Sequence, residues 1–105
     1  MIYRNRKLLD LAHRVHHCMF KLPGCKGYVV EGCEPVHSDH QRHGKGGGIK
    51  ADDDQHVAGC HHCHEAYTKL PKEEKLEKFE EARVRTFLNY EAQGWLKEVG
   101  YDQAK

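Results

Sequence analysis

Apolar residues recur at helical spacing near both ends of the chain and give way to short β-type runs and glycine in between. Leu8, Leu11, Ala12 and Val15 fall on one face and predict a helix over residues 5–17. Leu76, Phe79, Arg83, Phe87 and Tyr90 trace the inward stripe of a longer helix over 71–92. Pro71 suits its first position, and Glu73 and Glu74 favour its positive N-terminal end. Gly94 should stop this helix, after which Trp95, Leu96 and Val99 fold back as a core patch. Residues 28–31 and 34–37 read as a short hairpin about Gly32-Cys33, with Pro35 confining the second run to an edge. Residues 42–50 hold four glycines and cannot form a regular element without a large entropic cost, so they form a loop. Residues 55–58 lead into a helix from about Cys60 to Tyr67.

At 105 residues, with 38% hydrophobic and 31% charged positions and a mean hydropathy of −0.87, the chain fits one domain with a lean core that a metal staple would help hold. No apolar run approaches membrane-spanning length. The charged start, Met1 to Lys7, lacks the apolar stretch of an export signal, so the expectation is a reducing cytoplasm, where cysteine pairs mean metal before disulfide.

Four of the five cysteines form two pairs, Cys18 with Cys25 and Cys60 with Cys63. Thiolates at Cys-x2-Cys spacing reach one tetrahedral ion when the first sits in a turn and the second opens a helix. The Pro23-Gly24 turn folds the first pair back towards the second. The expected site is a structural Zn2+ on Cys18, Cys25, Cys60 and Cys63, with Cys33 packed as a small apolar side chain or exposed as a free thiol. Cys60 to His64 also spells Cys-x-x-Cys-His, a haem-attachment pattern. The missing export signal, the idle first pair and the small apolar surface count against haem.

Net positive charge falls in the first half of the chain, and histidine in its first two thirds. Residues 1–50 carry nine Lys and Arg against four Asp and Glu, and residues 51–105 carry eight against twelve. A basic segment of this kind can meet phosphates, although a solvated surface would carry the same charge. All ten histidines lie between His13 and His64, which marks a site more than a core. His13, His16 and His17 should decorate the first helix. His56, His61 and His62 read as exposed or supporting residues.

A hairpin ending in His, a loop, and a helix opening at Cys-x-x-Cys-His together resemble the frame of ββα-metal, or HNH, nucleases. The chemistry suits the frame, because phosphodiester hydrolysis needs a base for water, a Lewis acid for phosphate charge and donors that hold the backbone. More closely, Val36-His37-Ser38-Asp39, His43-Gly44-Lys45-Gly46, Gly48-Ile49-Lys50-Ala51, Asp53 and Cys60-His61-His62-Cys63-His64 are similar to the YbcO-type family of phage and prophage nucleases. That family reads roughly Ala-His-Ser-Asn, Gly-Lys-Gly-x-Gly-x-Lys, Asp and Cys-x-x-Cys-His. The similarity extends less specifically to residues 9–18, 22–25 and 82–94.

The resemblance implies an α+β fold: a small zinc-stapled ββα-metal (HNH-like) core over about 18–70, with helical flanks at 5–17 and 71–92, in a single nuclease domain of residues 1–105. It implies a metal-dependent endonuclease acting on duplex, single-stranded or branched DNA, in phage DNA recombination or processing in the bacterial cytoplasm. His37 takes the general-base position, and His64 the position of a ligand to a catalytic divalent ion, Mg2+ or Mn2+, with Zn2+ or Ni2+ as alternatives. Asp39 stands where the family often has Asn, and a carboxylate there can itself bind a hard cation. Asp53 matches the loop Asp and either supports the ion or orients His37. Spacing alone offers His40 as a rival base, because Asp39-His40 resembles the Asp-His pair of many HNH enzymes. Arg42, Lys45, Gly46, Gly47 and Lys50 would hold the DNA phosphates, unless the glycine loop is a plain connector. The rival function is a zinc-stabilised module that binds nucleic acid or protein without cutting.

Overall fold

Asn5 opens the described fold by capping helix α1 (Arg6–Asp10), its side chain accepting the Leu8 N–H at 3.1 Å. The computed structural model describes residues 3–40 and 51–101. A 3-10 turn over Leu11–Arg14 follows α1, and helical structure stops there, short of residue 17. Leu8, Leu11, Ala12 and Val15 are buried as their spacing implies, but the backbone from Val15 is extended. The reason is tertiary pairing with residues 27–33. Val15 C=O accepts the Cys33 N–H at 2.7 Å, His16 C=O accepts that of Val29 at 2.6 Å, and the Cys18 N–H donates to Gly27 C=O at 2.8 Å. These bonds outweigh local helix propensity and deliver Cys18 to the thiol cluster.

The expected hairpin between 28–31 and 34–37 does not form, because the first run is taken up by that pairing. Strand β1 (Glu34–His37) instead pairs antiparallel with β2 (His56–Gly59), in the register Glu34 with Gly59 and His37 with His56. β2 is buried at all four positions. It shows no polar alternation because both of its faces are covered. Val57 packs into one apolar cluster with Cys18, Phe20, Val36, Tyr67 and Phe79. Ala58, pointing the other way, joins Leu8, Leu11, Cys33, Phe87 and Tyr90 in a second. The two clusters are thus divided by a strand of period two.

Helix α2 (His61–Thr68) starts one residue after β2, and α3 (Lys72–Ala92) runs behind the sheet. Pro71 caps α3 rather than occupying its first turn. Phe79, Phe87 and Tyr90 of the expected stripe are buried with Ala82 and Thr86, whereas Leu76 and Arg83 are half-buried. The Arg83 guanidinium lies 4.1 Å from the Phe87 ring centroid. Past Gly94, the short helix α4 (Trp95–Glu98) returns Leu96 to the second cluster, with Trp95 and Val99 packed against it. The described residues form a small mixed α/β structure with a two-stranded antiparallel sheet and four α-helices. None of these helices is long and apolar enough to cross a membrane.

Candidate functional site

Cys18, Cys25, Cys60 and Cys63 converge with all four sulfurs within 4.8 Å of one another. A tetrahedral ion with metal–sulfur bonds of about 2.3 Å needs sulfurs about 3.8 Å apart, so the cluster could hold one. Backbone N–H groups already point at these sulfurs, among them Gly27 to Cys25 at 3.3 Å, Cys60 to Cys18 at 3.3 Å and Cys63 to Cys60 at 3.4 Å. Such donors favour thiolate over thiol. Burial raises the Cys18 and Cys63 thiols. At Cys60 burial acts the same way, but backbone N–H bonds from Lys26 and Cys63 and the neighbouring thiols bring it down to about 7. Cys33 stands apart in the second core cluster, 1% exposed, its thiol pushed up to about 12 by burial and then by the charges of Cys18, Cys60 and Cys25.

The cluster fixes the start of α2. Cys60 is the N-cap, its sulfur accepting the Cys63 N–H, so His61, His62 and His64 leave the first turn in set directions. His62 Nε2–H donates to Pro23 C=O at 3.0 Å, which ties α2 to the turn between the first two cysteines. His64 lines a cleft of about 560 Å³ together with His37, Asp39, His13 and Asp10. The structure therefore brings His37, Asp39 and His64 to one cavity from β1, the segment after it, and α2.

His37 is held from behind. Its Nε2–H donates to Asp53 Oδ1 at 3.2 Å, and the Asp53 side chain is only 8% exposed. Asp53 Oδ2 accepts the Asn5 N–H at 2.8 Å, and Arg4 Nη1 lies 3.5 Å from Oδ1. With Nε2 committed as donor, the basic nitrogen of a neutral His37 is Nδ1. Of the two partners expected for Asp53, an ion or His37, the hydrogen bond is to His37. The Asp39 carboxylate pairs with Lys75 Nζ at 3.1 Å. Its backbone N–H donates to the Tyr67 hydroxyl at 2.9 Å. His40 lines a neighbouring cleft of about 540 Å³ with Asp39, Tyr67 and Lys75, whose lining includes neither His37 nor His64. Arg42, Lys45, Gly46, Gly47 and Lys50 lie outside the described residues.

Three features have no counterpart in the sequence motifs. Glu34 Oε2 accepts a hydrogen bond from His64 Nδ1 and lies 3.4 Å from His61 Nδ1. Burial works against the Glu34 carboxylate, but these two imidazoles hold it below its ordinary value. His13 and Asp10 reach the cleft wall, and His13 Nδ1–H donates to Cys33 C=O at 3.0 Å. His56, expected to be exposed or supporting, is fully buried, with Nδ1–H on Asp53 C=O at 2.7 Å and Nε2 accepting from the Tyr90 hydroxyl at 2.9 Å. Burial pushes His56 down to about 4. Nothing in the motifs points to Glu34, because its tie to His64 spans thirty positions and exists only once β1 has paired with β2.

Comparison of the chain with family models, curated proteins and solved structures gives no match.

Proposed function

We propose that this chain is a metal-dependent endonuclease that hydrolyses DNA phosphodiester bonds from a zinc-stapled ββα core. The observation that carries the reading is the shared cleft, with His37 on one wall, backed by the buried Asp53, and His64 on another, on the helix that opens at the thiol cluster. The order β1, connecting segment, β2, α2 suits the HNH frame that the sequence resembles. Four thiolates suit Zn2+, which has no geometric preference of its own and takes a closed tetrahedral site when structural.

In this reading His37 Nδ1 takes a proton from a water as its oxygen attacks phosphorus in line with the departing 3′-oxygen. Asp53 keeps the ring in the tautomer that leaves Nδ1 basic and stabilises the imidazolium that forms. The nitrogen and oxygen donors on the cleft wall, His64 with Asp39 or Asp10, suit a divalent cation. Such a cation would supply neutralisation of charge on the phosphate and the leaving oxygen. Lys75, paired with Asp39 beside the cleft, adds positive charge where a DNA backbone would run. By motif, Arg42, Lys45 and Lys50 and the backbone of Gly46 and Gly47 supply further phosphate contacts. The resemblance of its motifs to phage and prophage nucleases supports a role in DNA recombination or processing inside a bacterial host.

The test offers supercoiled plasmid, single-stranded and branched DNA to the zinc-loaded chain with Mg2+ or Mn2+. Nicking that needs the added ion and disappears in His37→Ala is the expected result. Retarded migration of DNA without a cut on any substrate would replace the nuclease with a zinc-stabilised binding module.

A further inference from the structure

Within the four residues of β1 the chain places two side chains that bear on the cleft from opposite sides. His37, at the end of the strand, lines the cavity; Glu34, at its start, does not, yet its carboxylate accepts the Nδ1–H of His64, which does. We infer that Glu34 is the positioning residue of the cation site: it fixes His64 in the Nδ1–H tautomer and turns Nε2, the remaining lone pair, towards the cleft.

A neutral ring has one donor and one acceptor nitrogen, so a carboxylate on Nδ1 leaves only Nε2 as a ligand. Metal-binding histidines nearly always donate their other N–H to a carboxylate or carbonyl, which sets the ring plane and raises the basicity of the ligating nitrogen. Both ends of this hydrogen bond are anchored. Glu34 pairs with Gly59 in the sheet register, and α2 is started by Cys60, whose sulfur caps it, so the separation of strand and helix is set by the pairing and the thiol cluster. Glu34 Oε2 also lies within reach of His61 Nδ1, and the His61 and His64 rings are 6.5 Å apart, so His61 competes for the same oxygen from the exposed side. The hydrogen bonds of the motif's aspartates go to other groups than the His64 ring: Asp53 to His37 and Asn5, and Asp39 to Lys75. Glu34 is the carboxylate that the fold gives to His64.

This inference deepens the nuclease reading, sharing His64 with it, but has readouts that need no cleavage. Long-range 1H–15N correlation spectra of the zinc-loaded chain should show His64 protonated at Nδ1, where a free imidazole favours Nε2. Glu34→Ala should lose that signature, with zinc content and circular dichroism unchanged. Mn2+ affinity, measured by the electron paramagnetic resonance of the free ion, should fall by about 10- to 100-fold in Glu34→Ala. Glu34→Gln, whose amide oxygen still accepts the N–H, should recover the tautomer and part of the affinity. An Nε2–H tautomer in the unsubstituted chain, or equal Mn2+ affinity with and without Glu34, would overturn the proposal. Plasmid cleavage that depends on His37 while Glu34→Ala binds Mn2+ normally would remove Glu34 and keep the nuclease. The expected tautomer and affinity loss in a chain that never cuts DNA would keep Glu34 and remove the nuclease.

Discussion

Single side chains carry the most testable chemistry. Asp53 accepts from His37 and from the Asn5 backbone, so Asp53→Asn should keep the fold while weakening the hold on His37, the proposed base. General bases contribute about 10²- to 10⁴-fold, and the cleavage rate of Asp53→Asn should fall within that range, with less effect on substrate binding than on turnover. His56 is a buried neutral imidazole whose two nitrogens are already satisfied. Its folded value of about 4 lies below the ordinary one, so the unfolded chain takes up the proton first, and the stability His56 contributes is complete above about pH 6.5 and lost as pH falls towards 4. Urea melts between pH 7 and pH 4 should show that loss, of the order of 3 kcal/mol at the acid end. His56→Gln should be less stable at pH 7 and show a shallower decline; an equal decline would remove His56 as its cause. Gly32 sits at φ +94° with its α-carbon facing the chain of the 3-10 turn, and a β-carbon there would lie 2.1 Å from the His13 carbonyl oxygen. Gly32→Ala should therefore cost about 3 kcal/mol or more in a denaturant melt, beyond the usual left-handed strain, because backbone and not a flexible side chain stands in the way.

Among the elements, α2 and α3 were legible because their signals are local: a cysteine pair opening one helix, a long apolar stripe and Gly94 bounding the other. The sheet was not. β2 lies between two apolar clusters and shows no alternation, so Gln55 to Ala58 reads as an approach to the cysteines rather than as the strand that pairs with β1. The first helix is shorter than its apolar spacing predicts for a similar reason: Val15 to Cys18 keep helical spacing of apolar groups, but their backbone hydrogen bonds go to residues 27–33. For the candidate site, motif residues His37, Asp39, Asp53 and His64 could be named from the sequence, whereas which carboxylate meets which imidazole depends on strand pairing. Two α3 arginines brace this arrangement. Arg85 donates to the carbonyls of Met19 and Phe20 at 2.8 and 3.2 Å, just after Cys18, and Arg83 donates to that of Asp54 at 2.7 Å, just after Asp53. The cysteine assignment is checked by metal content: Cys33→Ala should keep one zinc per chain, and Cys25→Ala should lose it with a large fall in melting temperature. Zinc retained in Cys25→Ala and lost in Cys33→Ala would reverse the ligand set.

At the scale of the whole molecule, the thiol cluster and the cleft share α2, so an ion held by the four cysteines and the proposed catalytic cleft would be coupled through one eight-residue helix. Stripping the thiolate-bound ion should disorder the cleft along with the cluster, because apo metal sites of this kind forgo a large share of folding free energy. If the proposed nuclease reading holds, the charge division along the chain, basic in residues 1–50 and acidic after them, should give DNA binding that weakens steeply with salt and shows little sequence preference, since phosphate contacts carry no base code. The most direct test of the account is the nicking rate of supercoiled plasmid by the zinc-loaded chain in Mg2+ or Mn2+, beside His37→Ala of equal zinc content and equal melting temperature. The account predicts ion-dependent nicking that falls by at least about 10²-fold in the variant. Equal rates in the two proteins, or no nicking by either, would contradict it.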